Sequence, residues 1–287
     1  VDGTALALVL TAALVHAVWN LAAKNVQGNG AEFVFLYVTV SSAACLPLAV
    51  GYVVIEGQRP QWVWLTAALV TAACHVLYGT ALQHGYTVGD LTVVYPVARG
   101  SGPLITVLVA VVLLGERPGV LGLVGALLIV AGVFVVGTAG RGRAGRAARR
   151  RGVVWGLLTG CTIAAYTLWD NHSVNALAVP PLPYFAVAVV FQSAILAPYA
   201  VRRPTTAEIW RRHRREVLTV GILSPVAYLL VLYAMQRAPV SLVAPARELS
   251  IVFGGLGAWL LYHEPNPVRR LVGSLIVLAG IASIALS

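Results

Sequence analysis

Two arginines stand where arginines are costly. Arg99 and Arg247 each fall well inside a long apolar run. Ionisable groups at that depth face a bundle interior or a water-filled cavity, and they mark binding sites and solute pathways. A guanidinium offers five donors in a rigid fork that grips carboxylate or phosphate bidentately, so the chemistry expected of the pair is anion capture. The competing reading is structural, with Glu248 or helix-end carbonyls holding each arginine. Tyr95 lies four residues before Arg99 and Gly102 three after it, on one helical face. Pro96, Pro103, Pro239 and Pro245 sit in the same two segments, where a missing N–H leaves backbone carbonyls free.

A second set of polar residues recurs at helical spacing. His16, Asn20 and Lys24 follow one another at four-residue intervals in an apolar segment that also carries Trp19. Such a stripe is expected to face the bundle interior, with Lys24 free to snorkel to the interface. A later segment carries Tyr166, Trp169 and Asp170 on the corresponding face, with Thr162 and Ser173 nearby. Asp170, near the predicted end of its span, can bind and release a proton, neutralise an arginine, or simply be solvated at the interface. His75 and Tyr78 are three apart, and His75 either titrates near neutral pH or packs as a hydrogen-bonded ring. The candidate substrate-binding residues are therefore Arg99, Arg247, Asn20, Trp19, Tyr78, Tyr95, His75, Trp169 and Tyr228. Asp170, His16 and Glu248 are the candidates for ion coupling. No catalytic or metal-ligating set is expected, since the six histidines form no HxxxH or HExxH pattern.

The elements that must position these residues follow from composition. Of 287 residues, 59% are hydrophobic and only 10% charged, and the mean hydropathy is +0.84. A soluble domain carries roughly 25% charged residues to wet its surface, so the solvent here is a bilayer. A spanning helix needs about 20 apolar residues. Ten stretches approach that length: 5–23, 33–55, 62–82, 91–114, 120–138, 153–174, 182–201, 217–235, 240–262 and 268–286. The first lacks a basic n-region and is expected to be a true span, not a signal peptide. Trp62 and Trp64 are expected as interfacial anchors. Glu116 and Glu264, just before the fifth and tenth stretches, suit the positive ends of those helices. Cys45, Cys74 and Cys161, isolated in apolar runs, read as buried packing residues.

The ten stretches fall into two related halves. Gly125 to Gly132 resembles Gly273 to Gly280 at an offset of 148, which also carries Arg99 onto Arg247 and Glu116 onto Glu264. At an offset of 150, Trp19-Asn20 falls on Trp169-Asp170 and Tyr78 on Tyr228. The expected organisation is a five-helix repeat at 1–139, a basic linker at 140–152 and a second five-helix repeat at 153–287. An odd number of helices per copy forces the second copy to enter from the opposite side. The fold class is then an all-α membrane protein of ten transmembrane helices in two inverted repeats, an arrangement that recurs in secondary transporters with the substrate at the repeat interface. The glycines of the matched octets are expected to allow close helix packing.

The net charge of +10 comes mostly from six arginines in 141–151 and six in 202–215. Both stretches interrupt apolar runs, which points to anionic headgroups and not to nucleic acid. Loops after odd-numbered spans hold 15 lysines and arginines and those after even-numbered spans hold 3. That asymmetry puts the odd loops in the cytoplasm and both termini outside.

The repeat and several motifs resemble the EamA-type members of the drug/metabolite transporter superfamily. The likeness rests on His16-Ala-Val-Trp-Asn20 with Lys24, Gly89 to Gly100, Leu114-Gly-Glu-Arg-Pro118 with His263-Glu-Pro265, and Ala164 to Asp170, and it covers essentially the whole chain. The resemblance implies ten helices with both termini cytoplasmic, opposite to the charge count, which is kept here. The expected function is secondary active transport of small polar metabolites, anionic or zwitterionic and amino-acid-like, by alternating access in the inner (cytoplasmic) membrane. Transport would be driven by a gradient or by exchange. The alternatives are export of hydrophobic cationic drugs, or carriage of phosphorylated or phosphonate compounds. An enzyme is not expected, because no GxSxG elbow or paired intramembrane aspartates occur. No cofactor is expected; the partners are a small-molecule substrate and the lipid bilayer, and the assembly is a monomer or a homodimer.

Overall fold

The computed structural model describes residues 2–23, 26, 30–89, 91–137, 145–254 and 267–287. Most segments are long and apolar, and in lipid a helix satisfies its backbone hydrogen bonds within one segment. The described helices are α1 (Gly3–Ala23), α2 (Gly30–Ile55), α3 (Trp62–Val88), α4 (Leu91–Val112), α5 (Gly119–Gly137), α6 (Arg146–Asn175), α7 (Pro181–Ala200), α8 (Pro204–Met235), α9 (Val240–Arg247) and α10 (Pro267–Ala285). Among the described residues, eight of these, α1 to α8, are long and apolar enough to cross a membrane. Leu14, Leu48, Val54, Ile55, Val112 and Leu127 are among many large apolar side chains left on the outer surface, as expected where lipid replaces water.

Packing partners exchange when each helix is replaced by the one five places along. α1 lies on α8 as α6 lies on α3, and α2 lies on α8 as α7 lies on α3. α2–α7, α4–α9 and α5–α10 pair with their own counterparts. The α5–α10 seam is close because glycines face each other across it. A Cβ on Gly125 would sit 2.6 Å from the Gly280 carbonyl oxygen, and one on Gly280 2.7 Å from that of Gly125. Gly132 and Gly273 make the same reciprocal approach, at 2.8 and 3.0 Å. The expectation that these glycines permit close packing holds.

Four expectations change. The arginine-rich stretches are in part helix: α6 begins at Arg146 and α8 at Pro204, both ahead of the expected spans. α8 bends at His213, whose φ of −124° and ψ of 27° are non-helical, so its basic start diverges from the span that follows. The ninth segment is not continuous. It breaks at Glu248, where Pro245 lacks an N–H and the Glu248 N–H bonds back to the Pro245 carbonyl at 2.9 Å, and it resumes over 249–254. Trp62 is 82% exposed at the start of α3, but Trp64 is buried in the core and anchors nothing at the interface. Cys45 is buried, whereas Cys161 lies on the outer face of α6.

The bundle has one basic end. The Thr205 hydroxyl at the start of α8 donates to Glu32 at the start of α2, 3.2 Å away. At the opposite end Arg237 lies 3.9 Å from Asp2. Lys24, Arg141, Arg143, His263 and Glu264 lie outside the described residues.

Candidate functional site

α4 and α9 bring their arginines to one cavity of about 130 Å³. Arg99, Arg247, His16, Trp19, Asn20, His75, Tyr78, Tyr95 and Tyr228 all line it, each from the helix on which its spacing placed it. Asn20 and Tyr95 are exposed at its rim, while Arg99 and Arg247 are buried. Three expected residues stand elsewhere. Trp169 does not line the cavity; its indole N–H donates to the Ala67 carbonyl at 2.9 Å. Asp170 and Glu248 stand behind the lining side chains.

The arginines share a single carboxylate. Arg99 Nε lies 3.1 Å from Glu248 Oε2 and Arg247 Nε lies 3.8 Å from Oε1. The structural reading of the pair holds in part: Glu248 is the partner of both arginines, but it does not satisfy the donors. Arg99 Nε, and Arg247 Nε and Nη2, make no aligned hydrogen bond, and neither carboxylate oxygen of Glu248 receives one. Arg99 Nη2 reaches Ser250 Oγ only at 3.4 Å. The Arg247 guanidinium also lies 5.9 Å from the centre of the Tyr166 ring, within cation–π range. A buried donor left without a partner costs about 1–3 kcal/mol, more when charged. Two cations facing one anion therefore leave one positive charge unbalanced beside the cavity.

The other walls are aromatic. His75 stacks on Tyr166 with ring centroids 4.2 Å apart, and its Nδ1 lies 2.9 Å from the Thr71 carbonyl oxygen. His75 is thus both packed and exposed to the cavity. Tyr78 meets Tyr166 edge-on at 5.8 Å, and Phe185 stacks on Tyr228 at 5.3 Å. His16 tilts against Trp19 at 4.9 Å, and His16 Nδ1 and the Trp19 indole N–H are both buried without a partner. Asn20 donates to the His16 carbonyl at 2.7 Å, which fixes its amide at the rim.

Asp170 is wholly buried, and interfacial solvation is therefore overturned. α6 continues five residues past it to Asn175. Tyr184 donates to its Oδ1 at 2.6 Å, and Tyr228, whose ring lines the cavity, donates to its Oδ2. That tyrosine links the carboxylate to the cavity.

Sequence reasoning missed Tyr37, Ser41, Phe185, Gln192 and Ser224 as lining residues. Gln192 carried a usable signal, since an amide inside an apolar span is costly for the same reason as an arginine. Glu116 was placed wrongly. Its carboxylate does not sit on α5, the next helix; it accepts the N–H groups of Val240 at 3.0 Å and Ser241 at 2.9 Å, at the start of α9.

The profile of the EamA-like transporter family matches residues 3–138 and again residues 150–286. The chain belongs to the EamA-like transporter family. Among curated relatives, a probable 4-amino-4-deoxy-L-arabinose-phosphoundecaprenol flippase subunit ArnE from Salmonella newport (strain SL254) is 34% identical over 80 residues, covering 28% of this chain and 72% of that one. The ArnE of Enterobacter sp. (strain 638) is 38% identical over 60 residues, covering 21% of this chain and 56% of the relative. A solved crystal structure superposes on 100% of this chain and 98% of its own with a TM-score of 0.77 at 19% identity, which establishes the shared fold. Family membership and the membrane-spanning helices make the chain a multi-pass membrane protein with a role in transport.

Proposed function

We propose that the chain is a secondary active transporter of small anionic or zwitterionic solutes, amino-acid-like in their charged groups, and not an enzyme. The carrying observation is the unfilled hydrogen-bonding capacity of Arg99 and Arg247 beside a single shared carboxylate. A solute carboxylate would complete that set, the aromatic walls would hold its apolar part, and Asp170 behind Tyr228 would balance a solute ammonium or carry a coupling proton. Ten helices in two inverted five-helix repeats would supply two alternating gates around this cavity. The two family matches and the exchange symmetry of helix packing support that reading. We place the chain in the cytoplasmic membrane, and the distribution of arginine supports the basic end facing the cytoplasm. The partners are then the solute and the bilayer, with the chain acting as a monomer or homodimer.

The test is thermal stabilisation of the purified protein across amino acids, organic acids, phosphonates and hydrophobic cations. A ligand that binds only the native state at 100 times its Kd stabilises it by about 2.7 kcal/mol. Stabilisation by carboxylates is the expected result; stabilisation by hydrophobic cations alone would overturn the anion site. A second reading, translocation of a lipid-linked sugar, is favoured by the flippase role in the name of the ArnE relatives and by the aromatic walls. It predicts stabilisation by phosphorylated amino sugars and none by free amino acids.

Two further outcomes are expected. With Asp170 as the carrier of the coupling proton, Asp170→Asn should remove the pH dependence of transport in proteoliposomes, because an amide does not exchange that proton; unchanged pH dependence would exclude the proton-carrying role. A cysteine placed at Arg211 should be protected from an impermeant thiol reagent in intact cells and react in inverted vesicles. The reverse pattern would turn the molecule over in the membrane.

A further inference from the structure

α9 is eight residues long, and every one of them is buried. Its two ends make different kinds of contact. At the start, Glu116 accepts two backbone N–H groups, from Val240 and Ser241. A carboxylate there meets both the unsatisfied donors and the positive end of the helix dipole. At the other end stand Arg247 and Glu248, the latter joined to Arg99. Glu116 itself belongs to the connection between α4 and α5, and α4 carries Arg99. Both cavity arginines are thus borne by helices that meet again, away from the cavity, at one carboxylate.

That carboxylate lines a second, wider groove of about 520 Å³ at the end opposite the basic one, together with Asn171, His172, Asn175, Gln236 and Arg237. Asp170, Val174, Leu232 and Met235, on α6 and α8, which like α4 border both groove and cavity, are all buried. Ser241, one of the two capped residues, is also fully buried, and its hydroxyl has no partner.

We propose that Glu116 is a positioning residue that latches α9. While it holds Val240 and Ser241, Arg247 is fixed at the cavity and the end opposite the basic stretches stays shut; when it lets go, α9 swings and that end opens. The proposal rests on the alternating-access reading and extends it by naming the contact that must break. It crosses between the two family-matched segments, so it changes whenever those segments move against each other.

The experiment uses the full chain in lipid vesicles, with Cys45, Cys74 and Cys161 replaced by alanine and Ser241→Cys as the reporter. A membrane-impermeant maleimide is presented first on one side of the bilayer and then on the other. Loss of a helix cap costs about 1 kcal/mol, so Glu116→Ala should speed labelling about fivefold or more. The gain should appear only from the side opposite the basic stretches. Glu116→Gln, which keeps one acceptor oxygen but loses the charge, should show a smaller gain of the same sidedness. Unchanged labelling, or an equal increase from both sides, would overturn the latch and leave a cap that merely stabilises the fold. Should Glu116→Ala not fold, Glu116→Gln decides by the same criterion. No solute is required, so a failed anion site and a failed latch give different results.

Discussion

Arg247→Ala is expected to abolish carboxylate-dependent stabilisation and uptake. Hydrogen bonds to charged groups contribute about 1.5–3 kcal/mol each, and Arg247 offers two unpartnered nitrogens, so the expected loss of affinity is about 100-fold or more. Arg247→Lys should recover little of it, because an ammonium reproduces the charge but not the two-pronged fork. Arg99 needs a different design. Removing it alone strips Glu248 of its 3.1 Å partner, and a buried charge left unpaired costs about 3–5 kcal/mol in its own right. Arg99→Ala combined with Glu248→Gln removes both charges together, and because Arg247 also loses the shared carboxylate, it is read against Glu248→Gln alone. Full uptake in Arg247→Ala and in the double variant, both well folded, would show that the arginines serve the scaffold.

The second large effect is on stability. Gly125→Leu should cost about 3 kcal/mol or more, because its first side-chain carbon would lie 2.6 Å from the Gly280 carbonyl oxygen, a backbone atom with no way to turn aside. Gly280→Leu should cost as much, since the approach is reciprocal. Thermal unfolding in detergent, read by tryptophan fluorescence, checks both. The control is Gly79→Ala in α3, where a Cβ meets nothing within 4 Å; there the gain in helix propensity should stabilise by about 0.5–1 kcal/mol. Equal losses at Gly79 and Gly125 would mean that the seam is not the cause.

Much of this molecule is written in the cost of placing polar groups in hydrocarbon. Arg99, Arg247, His75 and Asn20 were legible because each is expensive in a lipid-facing position, and each lines the cavity. Tyr37 and Phe185 were not, since an aromatic ring is equally at home in lipid, in the core or in a binding site. Trp19 and Trp169 show where register stops being informative. They occupy matching positions, but the Trp169 indole reaches the Ala67 carbonyl, while the Trp19 indole at the cavity is left without a partner. The helices were legible from apolar length alone, and their ends were not: arginine is a good helix former, so the basic residues from Arg146 and after Pro204 are helix where charge alone suggested loops. Glu116 was beyond reach for a further reason. Its partners lie 124 and 125 residues away, and local spacing carries no trace of such a contact.

Asn20 and Asp170 occupy the same position in the two matched segments and have opposite fates, an amide at the rim and a carboxylate sealed under two tyrosines. An assembly of two identical half-length chains has no such freedom. Any codon that introduced a carboxylate would introduce it twice, and both acids would have to be accommodated together. Joining the halves in one gene separates the two choices. One side can then drift toward holding a buried acid while the other keeps a neutral amide, and the cavity acquires an asymmetry of charge that strict twofold symmetry forbids.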